Sequence, residues 1–182
     1  MSENKKVYLQ PTPVRIWHWL NAFGIITLAV SGAQIRFPEY ITLLGNYKSV
    51  IYLHNTAGFV VAISFTFWFF YYVFIARSMA NLYVPKVDEL KSGLLRQIKF
   101  YFLTYFLGWE NPHHPTPRNK FNPMQKSAYL AIMFVLMPLV SLTGIFMTNV
   151  EPLRGVIVMM GGLKILMNFH FLLACCLIAF LP

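Results

Sequence analysis

The chain has 182 residues, of which 57% are hydrophobic and 12% charged, with a mean hydropathy of +0.55. Soluble domains carry about 25% charged residues, so this composition excludes an ordinary soluble fold and points to an integral membrane protein of one domain. The net charge of +9 sits in cations flanking apolar runs, which reads as membrane-side loops and anionic lipid contact rather than nucleic-acid binding.

In chain order, residues 1–13 are polar, and the apolar run that follows lacks a small-residue cleavage pattern, so it reads as a retained helix. Four apolar segments approach the ~20 residues that cross a bilayer, at 14–35, 50–75, 127–148 and 164–181. Pro11 and Pro13 suit a helix start, and Pro138 predicts a kink in the third segment. The fold class expected is all-α: a four-transmembrane-helix bundle spanning residues 1–182. The last segment stops while still apolar, which reads as a chain cut short in or just after helix 4. Cys175 and Cys176 lie within that segment and read as packing residues without a disulfide framework. Trp17, Trp19 and Trp109 read as interfacial anchors.

Cations set the orientation. Lys5, Lys6, Arg15, Arg77, Lys86, Lys91, Arg96, Lys99, Arg118, Lys120 and Lys126 fall on one side, against Arg36, Lys48, Arg154 and Lys164 on the other. The richer side is expected to be cytoplasmic, with both termini on it. Residues 87–107 mix charges with aromatic and aliphatic residues, as an amphipathic helix on the inner leaflet does.

The histidines carry the chemistry. His113 and His114 lie in a proline-rich inner loop, where a solvated role is the simple reading. His18 opens the first span on the inner side. His54 opens the second and His170 the fourth, both on the outer side, so these two share a depth. A histidine at lipid depth needs a partner. Two at one depth on different helices can take both axial positions of a haem iron. Gly58, one turn after His54, would let a flat macrocycle approach the backbone. The alternatives are cross-helix hydrogen bonding, or zinc or copper, although no cysteine or carboxylate clusters with the pair.

Four motifs in this order resemble the membrane cytochrome b subunits of formate dehydrogenases, Ni-Fe hydrogenases and thiosulfate-type reductases. They are Arg15-Ile-Trp-His18-Trp-Leu-Asn21, Leu53-His54-Asn-Thr-Ala-Gly58, Lys120-Phe-Asn122-Pro-Met-Gln125-Lys-Ser-Ala-Tyr129, and His170. The resemblance implies a bacterial cytoplasmic-membrane subunit with two b haems. It implies His54 and His170 as outer ligands and His18 as one inner ligand, the second inner ligand not being visible. It implies menaquinone or ubiquinone at the inner side near Asn122 and Gln125, where Met124 departs from the family's small residue. An iron-sulfur or multihaem cytochrome subunit is the implied outer partner.

The residues themselves fit that role. Asn122 and Gln125 can offer hydrogen bonds to a quinone, or Asn122-Pro123 can cap the third helix. Arg15, one turn before His18, can pair with a haem propionate or anchor the inner face. The function expected is electron transfer between quinone and a partner redox subunit of an oxidoreductase, with no complete substrate site in this chain. The rivals are a histidine-relay transporter or proton channel, and a membrane anchor lacking a complete haem path.

Overall fold

A computed structural model describes residues 12–108, 110–116 and 119–180. Lys5, Lys6, Pro11, Trp109 and Arg118 lie outside the described residues, so the expectations placed on them are not addressed. Among the described residues the ordered elements are helical, and β structure is confined to one Thr116–Asn119 bridge.

Three helical runs are long and apolar enough to span a bilayer. They are α1 (Thr12–Arg36), then α2 (Tyr47–Phe70) continued by a π-helical turn to Ile75, then α6 (Pro123–Ala131) continued through a π turn (Ile132–Leu136) into α7 (Met137–Thr148). Their lengths of 25, 29 and 26 residues exceed the ~20 needed to cross ~30 Å of hydrocarbon at ~1.5 Å per residue. The fourth apolar helix, α9 (Leu163–Ala179), has 17 residues. Between these runs lie α3 (Met79–Tyr83), α4 (Leu94–Lys99), α5 (Tyr105–Leu107) and α8 (Arg154–Met159). The π turn ends one residue before Met137-Pro138. Proline has no N–H and its ring crowds the preceding turn, and a widened turn there accommodates both.

The chain forms two compact units. One comprises Ile16–Phe69 and Ile132–Pro182. In it α1 and α2 run antiparallel in a fixed register. Trp17 stacks on Trp68 at 5.5 Å between ring centres, and Trp17 Nε1 donates to the Ser64 carbonyl at 3.0 Å. Asn21 Nδ2 donates to Ser64 Oγ at 2.7 Å. Two turns later Gly24 passes Val61 so closely that a Cβ there would collide with the valine. Gln34 ties down the following loop, its amide donating to the Gly45 carbonyl at 3.0 Å and accepting from the Leu44 N–H at 2.9 Å. Trp17 thus packs against α2, whereas Trp19 is largely exposed. Elsewhere in this unit α7 packs along α9. Leu166, Leu173 and Leu177 form the buried stripe of α9, at spacings of one helical face. Cys175 and Cys176 lie off that stripe and are exposed, so they do not pack the core as expected.

The other unit includes Phe70–Ala131. Its centre is aromatic: Tyr83 meets Tyr72, Phe121 and Tyr129 with ring centres 5.3–6.1 Å apart. The expected helix over 87–107 is present as one helical stretch, a π turn (Glu89–Gly93), α4, a second π turn (Phe100–Thr104) and α5. Leu95, Phe102 and Phe106 share one face and are 67–84% exposed, whereas Gln97 is buried. An apolar outer face of this kind suits contact with acyl chains.

Lys126, which orientation counting treats as a loop cation, is buried. Its Nζ holds both oxygens of Glu89, at 2.8 and 3.0 Å. Glu89 Oε2 also accepts the Lys86 N–H at 2.9 Å. Burial alone would raise the Glu89 pKa, but the Lys126 hydrogen bonds, the Lys86 N–H and both lysine charges together hold it below the usual carboxylate range. The pair's contribution is therefore complete above the ordinary value of ~4.3 and is lost only as pH falls through the lowered one.

Glu89→Ala strands a buried ammonium. It is expected to destabilise the protein by about 2–3 kcal/mol, at or just below the lower end for a broken buried pair because Glu89 keeps some water contact. Thermal unfolding in detergent measures this, and Lys126→Met added to Glu89→Ala should recover most of the loss.

Candidate functional site

The sequence-matched pair comes together. His54 on α2 and His170 on α9 lie with ring centres 6.4 Å apart and planes at 72°. Both are half-buried.

Each ring is held by the same device on a neighbouring helix. On α1, Ser31 Oγ lies 2.9 Å from His54 Nδ1. On α7, Thr143 Oγ1 lies 2.8 Å from His170 Nδ1. A hydroxyl has one proton to give. Ser31 donates it to the Thr27 carbonyl at 2.6 Å, and Thr143 to the Leu139 carbonyl at 2.8 Å. The oxygens therefore accept from the imidazoles, which fixes the proton of each ring on Nδ1. Each ring is left with an unprotonated Nε2, the form in which imidazole binds a metal.

A glycine follows each hydroxyl residue. A Cβ at Gly32 would stand 3.2 Å from His54 Cε1, and one at Gly144 would stand 3.5 Å from His170 Cε1. The bare backbone lets α1 and α7 approach the ring edges. Gly58, expected to provide this closeness, would meet only Leu28 Cδ2, at 3.8 Å, so the tight glycines are on the neighbouring helices. The two Ser/Thr-Gly pairs were not singled out in the sequence. Their signal was a hydroxyl-glycine dipeptide in each of two apolar helices whose partner carries a histidine.

Distance tests what can lie between the rings. A direct N–H···N bond of ~3 Å would put the ring centres ~5 Å apart. One metal atom bonded to both Nε2 atoms at ~2 Å, with each nitrogen ~1.1 Å from its ring centre, puts them ~6.2 Å apart. The observed 6.4 Å is longer than the first separation and leaves room for the second. With two neutral nitrogens and no thiolate or carboxylate grouped with them among the described residues, the donor set fits an iron whose other positions are filled by a macrocycle.

The other candidates sit elsewhere. His18 is exposed on α1, edge-on to Trp19 at 5.7 Å. At ~1.5 Å per residue it stands about 20 Å along α1 from Ser31, so it belongs to a different depth from His54. Arg15, in the same stretch, is exposed. His113 is half-buried with an unpartnered Nε2, and His114 is exposed. Arg36 donates to Asn168 Oδ1 at 3.2 Å and lies over the Phe171 ring at 5.2 Å.

Asn122 and Gln125 form a reciprocal cap on α6. Asn122 Oδ1 accepts the Gln125 N–H at 2.8 Å and Gln125 Oε1 accepts the Asn122 N–H at 3.0 Å, with Pro123 at the first helical position. Asn122 Nδ2 donates to the Tyr101 hydroxyl at 3.2 Å. Gln125 is exposed, and its amide NH2 has no partner among the described residues.

Residues 9–182 match the family described as prokaryotic cytochrome b561. YdhU of Escherichia coli (strain K12), named as a cytochrome, is 29% identical over 172 residues, covering 93% of this chain and 63% of that protein. A protein named as a Ni/Fe-hydrogenase B-type cytochrome subunit, from Rhizobium leguminosarum bv. viciae, is 36% identical over 46% of this chain and 37% of its own length. The formate dehydrogenase cytochrome b556(fdo) subunit of E. coli K12 is 33% identical over 40% of this chain and 36% of its own length. The chain thus spans less than two thirds of the length of these relatives. No solved structure matches.

Thr143→Val removes the acceptor that fixes the His170 tautomer. The expected result is ~10–100-fold weaker binding of added haem by the apo-protein, the usual cost of losing a ligand's outer hydrogen-bond partner. Thr143→Ser should bind normally, and absorbance titration measures both.

Proposed function

Because the chain belongs to the prokaryotic cytochrome b561 family, we propose that it is the haem-binding part of a membrane subunit that moves electrons between a quinone and a partner redox protein. The observation that carries this reading is the His54–His170 pair at metal-bridging separation. The family implies b-type haem, which when bound supplies reversible one-electron transfer. His54 and His170 would hold it through Nε2. Ser31 and Thr143 would keep the proton on Nδ1, orient the rings and raise the basicity of Nε2. Gly32 and Gly144 keep backbone close to the rings and side chains out of the way.

A second haem would take His18 as one ligand at the opposite depth. Arg15, one turn away, would serve its propionates. A menaquinone or ubiquinone would meet the exposed Gln125 amide, the free donor at the cap of α6. Asn122 would position that residue rather than touch the quinone, since its own amide is engaged.

The orientation proposed is a four-span bundle in the bacterial cytoplasmic membrane with both termini inside, which the excess of cations on that side supports. An iron-sulfur or multihaem partner would dock on the outer side. Relatives named as subunits of Ni/Fe-hydrogenase and formate dehydrogenase support a partner of that kind. A histidine relay is disfavoured by the ring separation, which is too long for a direct hydrogen bond.

In the full-length product, His54→Ala and His170→Ala are each expected to lower the haem-to-protein ratio by the same one equivalent, read from the alkaline pyridine spectrum. His18→Ala should leave that equivalent in place. A colourless wild type from haem-replete cells would refute haem binding.

A further inference from the structure

A cleft of about 660 Å³ in the unit containing Phe70–Ala131 is unrelated to the histidine pair. Its lining includes Arg77, Lys86, Lys120 and Lys126 against one carboxylate, Glu89. Lys126 and Lys86 both serve Glu89, the first through its ammonium and the second through its N–H and its charge. Arg77 and Lys120 have no carboxylate partner among the described residues. Burial without a counter-ion lowers the Lys120 pKa below the usual lysine value. An anion in the cleft would relieve that cost.

Three further observations point to a ligand. Arg77 adopts φ +47°, in the left-handed region that non-glycine residues rarely occupy, and such strain is concentrated at ligand clamps. Asn119, also in the lining, has a buried side-chain oxygen with no partner. Position in the chain adds the third. Arg77 follows the end of one spanning run at Ile75 by two residues, and Lys120 precedes the start of another at Pro123 by three. Residues so close to span ends lie at the depth of lipid phosphates.

We propose that this cleft is a binding site for a phosphate oxyanion, the group shared by an anionic lipid head group and free phosphate. Arg77 offers a planar fork for two oxygens and Lys120 a point charge. The unanswered Asn119 oxygen suits a ligand that also carries a hydroxyl, as a glycerol head group does.

The test uses the full-length protein in phosphatidylcholine nanodiscs, with phosphatidylglycerol titrated in and bound lipid counted by native mass spectrometry. Arg77→Gln/Lys120→Gln is expected to bind phosphatidylglycerol about 10–30-fold more weakly, the loss of two cations facing an anionic head group. Lys48→Gln/Lys91→Gln removes equal charge outside the cleft and should bind as wild type does. Competition by millimolar inorganic phosphate would support the site and assign it to free phosphate. Indifference to phosphate would assign it to lipid. Equal weakening in both double variants, or none in the cleft variant, would overturn the proposal. The single variants Arg77→Gln and Lys120→Gln, each about 3–5-fold weaker, serve if the double variant does not fold.

Discussion

Two imidazoles at lipid depth depend on two hydroxyls that have no proton left to give. Ser31 and Thr143 donate to carbonyls of their own helices, and so can only accept from His54 and His170. Each contact satisfies one ring nitrogen, which lowers the cost of placing a histidine in hydrocarbon. It also leaves the other nitrogen as a bare lone pair. A half-buried imidazole thereby keeps a free lone pair, with no charge placed in the apolar interior.

The helix pairs deliver this geometry. The register that stacks Trp17 on Trp68 and joins Asn21 to Ser64 brings Ser31 level with His54. Glycine at position 24 lets the two helices close, and Gly32 admits the ring edge. The buried leucine stripe of α9 does the same work for α7, setting Thr143 and Gly144 against His170. In the other unit, the buried Lys126–Glu89 pair and the Asn122–Gln125 cap fix the start of α6, so that Gln125 keeps one donor on an exposed face. Packing and capping come first, and the donors available for chemistry are what they leave unused.

The spanning runs and the depth match of His54 with His170 were legible in the sequence, because hydropathy and length report membrane depth directly. Their outer hydrogen-bond partners were not. A serine or threonine inside an apolar helix most often bonds its own backbone, and Ser31 and Thr143 do so as well; their second role depends on helix register. Gly58 was singled out because face arguments within one helix are available from spacing. The glycines that crowd the rings lie on the opposing helices. The spacing of the sequence also could not show that Trp17 has a stacking partner on α2 or that Lys126 pairs with a carboxylate. Asn122 and Gln125 were read for a cap and for a quinone site, two compatible roles, and their reciprocal hydrogen bonds form the cap.

The most direct test of the account is electron paramagnetic resonance of the oxidised full-length protein. Two imidazole planes 72° apart on one iron should give the highly anisotropic low-spin signal of near-perpendicular axial rings, and this signal should vanish in both His54→Ala and His170→Ala. A signal undiminished by either substitution would contradict the assignment of these two histidines to one metal.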